Sequence, residues 1–193
     1  AELEALVAAV TDRVPLTLVE GNHDGGVAEA VGPAIDVVDP RGGVLGEADA
    51  THDLPEGGSI GVLHGHTWPG PALWGADVIC VGHEHPQVRL EDAVGGSRTA
   101  RAWLRGPLSP AAFAGSSGGT DSREADPRET DAKRSFTGDP PELVVFPAFN
   151  ERSGGTWINV EGQGFLSPFL PEGLADGEAY LLDGTRLGDY RRV

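Results

Sequence analysis

The chain has 193 residues, of which 30 are Asp or Glu and 14 are Lys or Arg, so its formal net charge is −16. This length suits one domain, and the negative charge disfavours binding of polyanions through a basic surface. The single cysteine, Cys80, excludes an internal disulfide framework. Since there is neither a run of about 18 apolar residues nor an apolar signal core, we expect a cytoplasmic protein without a membrane partner.

The acidic surplus occurs in a chain that also has the apolar runs of a folded protein. Apolar residues make up 39% of the sequence, and the basic set consists of 13 arginines and one lysine, Lys133. Carboxylates hold a hydration layer, and a salt-rich cytoplasm screens their mutual repulsion. These features predict a halophilic, acidic protein, and an ordinary acidic protein is the alternative.

In chain order, the sequence first predicts a helix over residues 1–12, where apolar side chains recur three and four positions apart. Strands are predicted at 14–19, 35–38, 59–63, 77–81, 143–149, 157–160, 179–182 and 187–191, with a hairpin of 88–90 and 98–104. Helical turns are predicted at 27–31 and, as an alternative to a loop, at 69–73. The short apolar strands indicate a sheet covered on both faces. Residues 106–141 are rich in Gly, Ser, Pro and charged residues and predict a flexible insertion in a single domain, 1–193.

Three of the predicted strands lead directly into turns with glycine and histidine. The turns are Gly21-Asn22-His23-Asp24, His64-Gly65-His66 and Gly82-His83-Glu84-His85. All six histidines precede residue 86, and five of them lie in these turns. Side chains at successive strand ends converge at one edge of an α/β sheet, and imidazole with amide or carboxylate oxygen suits Mn, Fe, Zn or Ni. The pattern therefore predicts a metal site.

Each motif also has a simpler interpretation. Residues 22–24 could form a hydrogen-bonded turn, and residues 64–66 could cap a turn without a metal. His83 and His85 would share one face if they lay on a strand, which favours a shared ligand. His52 stands alone in a polar segment and is expected at the surface, and Cys80 is expected to be a small buried apolar residue.

On these motifs the chain resembles the calcineurin-like metallophosphoesterases. The motifs look like the later ones of that family in order and spacing, with 42 residues from Asn22 to His64 and 19 more to His83. In the tail, 147–150 (Pro-Ala-Phe-Asn) and Gly154-Gly155 are similar to the branch of small prokaryotic phosphoesterases associated with DNA ligase and helicase genes. The resemblance implies an α/β fold, a four-layer α/β/β/α sandwich with two divalent metal ions at the strand ends.

The resemblance also implies a role for each motif residue. Metal binding falls to Asn22, His64 and His83 for one ion and to His85 for the other. His23 is the expected general acid at the leaving group, and Asp24 is expected to orient it through a hydrogen bond. His66 departs from the minimal pattern and is expected either to contact the ligands or to face the substrate.

The chain departs from the family at its front. The Asp-x-His and Gly-Asp motifs that open the family's domain are absent before Asn22, and Asp12 is the only aspartate there. We therefore expect a fold that lacks its first strand–helix–strand unit, with residues of the natural protein preceding Ala1. The expected cofactor is a pair of divalent ions, with Mn favoured, or one ion on the smaller ligand set.

The predicted function is hydrolysis of phosphomonoesters or phosphodiesters by a metal-activated water. Nucleic acid is a candidate substrate, and a DNA-repair protein is a candidate partner. The alternative is a non-catalytic metal-binding or scaffold module of the same fold, since most ligands of the first metal are missing. A zincin protease is disfavoured because there is no His-Glu-x-x-His helix.

Overall fold

The computed structural model describes residues 2–32, 35–45, 58–114 and 139–193. These residues form a mixed α/β structure with a large, mostly open sheet, a small sheet and few helices. Among them, no helix combines the length and the apolar composition that a membrane span requires. His52 and residues 115–138 of the predicted insertion lie outside the described residues.

The helices and strands are short, with one exception, the long strand β7. The helices are α1 Glu2–Thr11, α2 Val27–Val31 and α3 Pro110–Ala114. The strands are β1 Thr17–Val19, β2 Asp36–Val38, β3 Gly43–Leu45, β4 Ile60–Leu63, β5 Val78–Val81, β6 Gln87–Glu91, β7 Ser97–Pro107, β8 Glu142–Val145, β9 Glu178–Leu181 and β10 Arg186–Asp189. Single 3₁₀ turns occur at Pro71–Gly75 and Tyr190–Arg192.

Most predicted elements are confirmed, but the strand predicted at 157–160 is wrong. Trp157 forms a single bridge to Gln87, and the chain then turns away. The reason is the side chain of Asn159, which makes the hydrogen bonds to β6 that the backbone of a neighbouring strand would otherwise make. Its Oδ1 accepts from Arg89 N at 2.9 Å, and its Nδ2 donates to Arg89 O at 2.8 Å.

The large sheet has three parallel strands at its centre, with antiparallel neighbours on both sides. The strand order is β10-β9-β7-β8-β5-β4-β3, and β6 pairs with the first half of β7. In the parallel region Leu63 pairs with Val81, and Val81 pairs with Val145. Because these strands end in register, the turns that follow them, including two of the histidine motifs, emerge side by side at one edge of the sheet.

The core lies on one face of this sheet. Every second residue of β4, β5 and β8 is buried, and the intervening residues are half-buried. Leu73 and Phe169 belong to the same buried cluster as these strand residues, together with Leu104 of β7. The prediction of a sheet covered on both faces is confirmed for one face, and the other face of these strands is half-buried in the described residues.

The start of the predicted insertion belongs to the ordered core. Residues 106–107 complete β7, and 110–114 form α3. Leu108 and Phe113 are buried, and the Phe113 ring lies 5.8 Å from Trp68 and 5.2 Å from Trp74 between centroids. The sequence did not indicate that Leu108 and Phe113 are buried, because the residues around them are mostly polar residues, glycine and proline. The two tryptophans pack against the core from the segment that follows the second histidine motif.

The small sheet positions the first motif. Strands β1 and β2 run parallel and are joined through α2. A Cβ placed on Gly43 would lie 3.2 Å from Val38 Cγ1, so β2 lies close to β3 at the edge of the large sheet. The turn after β1 therefore extends toward the end of β4.

Candidate metal centre

The first and second histidine motifs approach each other so closely that only glycine fits between them. A Cβ on Gly21 would lie 2.8 Å from both His64 Cε1 and Asp24 Oδ2. Such distances are below any ordinary contact, so the glycine lets the turn at 20–24 reach the His64 imidazole. The convergence that the sequence predicts for these motifs is thus present in the structure.

Three atoms that could act as metal ligands lie close together where the first and second motifs meet. His64 Nε2 lies 3.1 Å from Asn22 Oδ1 and 3.1 Å from His83 Nδ1. Two ligands bonded at about 2.1 Å and at right angles to one cation are about 3.0 Å apart. The separations therefore match the spacing of neighbouring ligands around one divalent ion, and the set of two imidazoles with one amide oxygen suits Mn, Fe, Zn or Ni.

The protonation state of the cluster favours neutral ligands. Burial lowers the pKa of His64 to about 4, and repulsion from His83 and His66 acts in the same direction. Burial also lowers the pKa of His83, against the opposing charge of Glu84. Near neutral pH His64 is therefore uncharged, and its nitrogen lone pair is available to a cation.

His66 lies inside the cluster rather than beside it. Its ring centroid is 5.1 Å from that of His64 and 5.9 Å from that of His83. Its Nδ1 is buried and has no hydrogen-bond partner among the described residues. A buried polar atom without a partner is uncommon in native proteins, so this nitrogen is a candidate contact for a bound group.

His85 stands apart from the three donors. Its Nδ1 donates to the Gly154 carbonyl at 3.2 Å, which fixes the tautomer and leaves the Nε2 lone pair free. In the described ranges, no group of three or more His, Cys, Asp or Glu side chains is arranged to hold a metal. A cation site here would therefore need the amide oxygen of Asn22 beside His64 and His83, and His85 alone does not make a second site.

The first motif places its other two residues at the surface. His23 and Asp24 are exposed, and Asp24 Oδ2 accepts a hydrogen bond from Gly21 N at 2.9 Å. The hydrogen bond of Asp24 thus closes its own turn rather than reaching His23. The orientation of His23 by Asp24 stays a prediction.

The third motif is a turn with a strained backbone, so the condition under which His83 and His85 would share a strand face is not met. His83 and His85 have φ angles of 61° and 48°, in the left-handed region that non-glycine residues rarely adopt. Between them Glu84 is fully buried, although it carries no predicted role. The sequence signal that could have identified Glu84 is its position between two predicted ligands. Adjacent side chains point in different directions, so Glu84 points away from the ligands on either side of it.

An aromatic rim lies on the segment that follows β8, and the same segment contacts the third motif through Gly154. Phe146, Phe149 and Trp157 are the exposed phenylalanine and tryptophan side chains in the part of the chain that the structure describes. Phe149 projects completely into solvent, whereas its backbone is held by Arg101, which donates to the carbonyl oxygens of Ala148 and Phe149 at 2.9 and 3.1 Å. Further along the same segment, the Gly154 carbonyl accepts a hydrogen bond from His85.

A polar cavity of about 260 Å³ lies at the opposite edge of the large sheet, where β8 begins. Its walls include Arg105, Glu142 and Glu178, and Arg105 donates to Glu142 at 2.8 Å. The histidine cluster is separate from this cavity and lies on an open edge.

No protein-family model, curated protein or solved structure matches this chain. The functional argument consequently rests on the motifs and on the geometry of the cluster.

Proposed function

We propose that the chain is a metal-dependent phosphoesterase of the calcineurin-like type, in which Asn22, His64 and His83 hold one divalent cation. The observation that carries the proposal is the meeting of three neutral donors at the 3.1 Å separations expected for ligands of one ion. The four-layer sandwich is part of the proposal. It is supported by a small parallel sheet beside the large sheet, with donors at the strand ends of both.

The chemistry divides between the cation and the side chains around it. A bound divalent cation polarises a phosphoryl oxygen and lowers the pKa of a bound water. His23, exposed on its turn, holds a proton for the departing oxygen. His85 offers its free Nε2 to the phosphate or to a second cation, and the buried Nδ1 of His66, which has no hydrogen-bond partner among the described residues, is a further candidate contact.

The aromatic rim favours a substrate with planar bases. Phe149 is fully exposed on the segment whose Gly154 carbonyl accepts a hydrogen bond from His85, and unpaired bases stack on aromatic rings with little sequence preference. We therefore propose phosphodiesters of unpaired nucleic acid ahead of simple alkyl phosphates. The net charge of −16 acts against any polyanion, and salt reduces that repulsion. A DNA-repair protein as partner rests on the family resemblance alone.

The test is hydrolysis of bis-p-nitrophenyl phosphate by the 193-residue chain with Mn²⁺ or with EDTA. We expect turnover with Mn²⁺, and none with EDTA. His64→Ala and His83→Ala should lose both turnover and Mn²⁺ binding measured by calorimetry. His52→Ala removes an imidazole outside the three motifs and serves as the matched control. Turnover that survives EDTA, or that is unaffected by His64→Ala, would refute the proposal.

One observation favours the metal-binding module as a second candidate. The described residues bring three candidate donors together for one cation, whereas two-metal hydrolysis needs a pair of ions. Tight binding of one Mn²⁺ without turnover would favour the module. Turnover that depends on His23 and His85 as well would favour the enzyme.

The nucleic-acid substrate has a test of its own. Phe149→Ala should raise the KM for a single-stranded oligonucleotide about tenfold, because one stacking contact is lost. The KM for methyl p-nitrophenyl phosphate should change less. Val94→Ala, at a comparably exposed position in the turn between β6 and β7, is the control. Equal effects of the two substitutions on the oligonucleotide would argue against the aromatic rim.

A further inference from the structure

The buried carboxylate of Glu84 is held by hydrogen-bond donors alone. The side chain has no exposed surface. Thr156 Oγ1 donates to its Oε1 at 2.5 Å, Leu166 N donates to Oε1 at 2.9 Å, and Ser167 N donates to Oε2 at 2.9 Å. In the described residues no arginine, lysine or histidine forms an ion pair with it. A buried carboxyl group is tolerated only where hydrogen bonds satisfy it, so this position depends on the residues that supply the three donors.

The backbone on both sides of Glu84 is strained. His83 and His85 hold positive φ angles of 61° and 48°. Such conformations persist only where the surroundings enforce them, and they concentrate at functional sites. Here the surroundings are the segment 154–167, which supplies all three donors to the carboxylate and also the Gly154 carbonyl that accepts from His85.

Backbone hydrogen bonds extend the same connection. Glu84 N donates to Gly82 O at 2.6 Å, Thr156 N donates to Glu84 O at 3.2 Å, and Gln87 N donates to Thr156 O at 2.8 Å. The hydrogen bonds of Glu84 thus fix the turn to the segment 154–167. The backbone positions of His83 and His85, on either side of Glu84, are fixed with it.

We infer that Glu84 is a positioning residue for the metal centre. Its buried carboxylate holds the turn in the one conformation that brings His83 Nδ1 to His64 and leaves His85 Nε2 free. This inference rests on the proposed function, because positioning matters only if the imidazoles bind a cation. A purely structural anchor would stabilise the fold without affecting the imidazoles.

The first experiment compares Glu84→Gln with wild type in Mn²⁺ affinity, measured by calorimetry well below the unfolding temperature. With its oxygen at the Oε1 position, the amide keeps the hydrogen bonds from Thr156 and Leu166 and presents its N–H₂ group to Ser167 N, so one of the three hydrogen bonds is replaced by a repulsive contact. We expect Mn²⁺ to bind about 10–100-fold more weakly, the usual range for loss of a group that orients a ligand.

Matched variants separate positioning from stability. Leu174→Ala removes a buried core side chain from the opposite edge of the sheet and should lower the unfolding temperature without changing Mn²⁺ affinity. Thr156→Val removes the hydroxyl donor and should weaken Mn²⁺ binding, whereas Thr156→Ser keeps the hydroxyl and should restore it. Wild-type affinity in Glu84→Gln, or equal losses in Thr156→Val and Thr156→Ser, would overturn the inference.

A second readout needs no metal. In EDTA, the side-chain nitrogen NMR signals of His83 and His85 should shift in Glu84→Gln, with that of His23 unchanged, and should stay in place in Leu174→Ala. Unchanged signals of both rings would overturn the inference whatever the Mn²⁺ result. Absence of Mn²⁺ binding by the wild-type chain would instead refute the proposed function, so the two failures are distinguishable.

Discussion

At the scale of single residues, burial and hydrogen bonding give chemically identical histidines different environments. His64 is enclosed by the first and third motifs, and its pKa falls to about 4. His85 has its Nδ1 proton committed to a backbone carbonyl. His23 stands in solvent on its turn, which is the environment of a residue that exchanges protons.

The exposure of His23 leads to a prediction about leaving groups. His23→Ala should reduce kcat about 10²-fold or more for a phosphodiester with an alkyl leaving group, which needs a proton as it departs. The effect on bis-p-nitrophenyl phosphate should be much smaller, because nitrophenolate leaves without protonation. Single-turnover kinetics on both substrates measure the difference. Equal losses on the two substrates would contradict a general-acid role.

At the scale of elements, the site depends on how closely the segment after β8 meets the third motif. A Cβ on Gly155 would overlap the carbonyl oxygen of His85, whereas a Cβ on the neighbouring Gly154 would meet nothing within 4 Å. Adjacent glycines in the same segment thus have different reasons to be there. The first permits contact with the histidine turn, and the second places no steric demand on its surroundings.

This contrast predicts unequal effects of two matched substitutions. Gly155→Ala should lower the free energy of unfolding by about 2 kcal/mol or more, because the backbone must move to relieve the overlap. Gly154→Ala should stay within about 0.5 kcal/mol of wild type. Urea denaturation followed by circular dichroism measures both. A neutral Gly155→Ala would show that the segment does not press against His85.

The β9–β10 pair provides a test of pH dependence. Hydrogen bonds from Arg186 and Tyr180 lower the pKa of Glu178 to about 2. A lowered carboxyl pKa stabilises the fold above its unfolded value of 4.5, and that contribution is lost as pH falls toward the folded value. The difference in unfolding temperature between wild type and Arg186→Ala should therefore be constant above about pH 5. It should shrink as the pH falls below that value.

Salt provides the control for this pair, because the groups lie at the surface. At about 1 M KCl the difference between wild type and Arg186→Ala at pH 7 should shrink. A difference that persists at pH 3 would show that Arg186 acts through packing of its side-chain stem instead.

At the scale of the whole molecule, charge is the dominant property. The net charge of −16 is spread over a chain whose described core lies mostly on one face of a single sheet. Self-repulsion therefore acts against a modest core, and ions in solution offset it.

The charge predicts a stability that rises with ionic strength. The unfolding temperature should increase by several degrees between about 0.01 and 0.3 M KCl, the range in which the screening length falls most. Trehalose at the same osmolality should not reproduce this increase, since it carries no charge. A flat profile in KCl would contradict the halophilic interpretation.

Much of the fold could be read from local pattern. The apolar runs that end at Val19, Leu63 and Val81 predicted β1, β4 and β5, because short β-rich segments before glycine turns are locally determined. The prediction of a strand at 157–160 was wrong because the Asn159 side chain, rather than the backbone, forms the hydrogen bonds to Arg89 of β6. The buried position of Phe113 was equally hidden, since burial depends on what packs against it.

The sequence by itself determined which residues the metal-site prediction rests on, because glycine and histidine at strand ends can be recognised without knowing how the strands pair. Only the tertiary structure decided that His64 Nε2 meets Asn22 and His83 at 3.1 Å, and that Glu84 between two histidines points into the protein. These facts depend on parallel strands ending in register and on hydrogen bonds from residues more than seventy positions away, which no local pattern encodes.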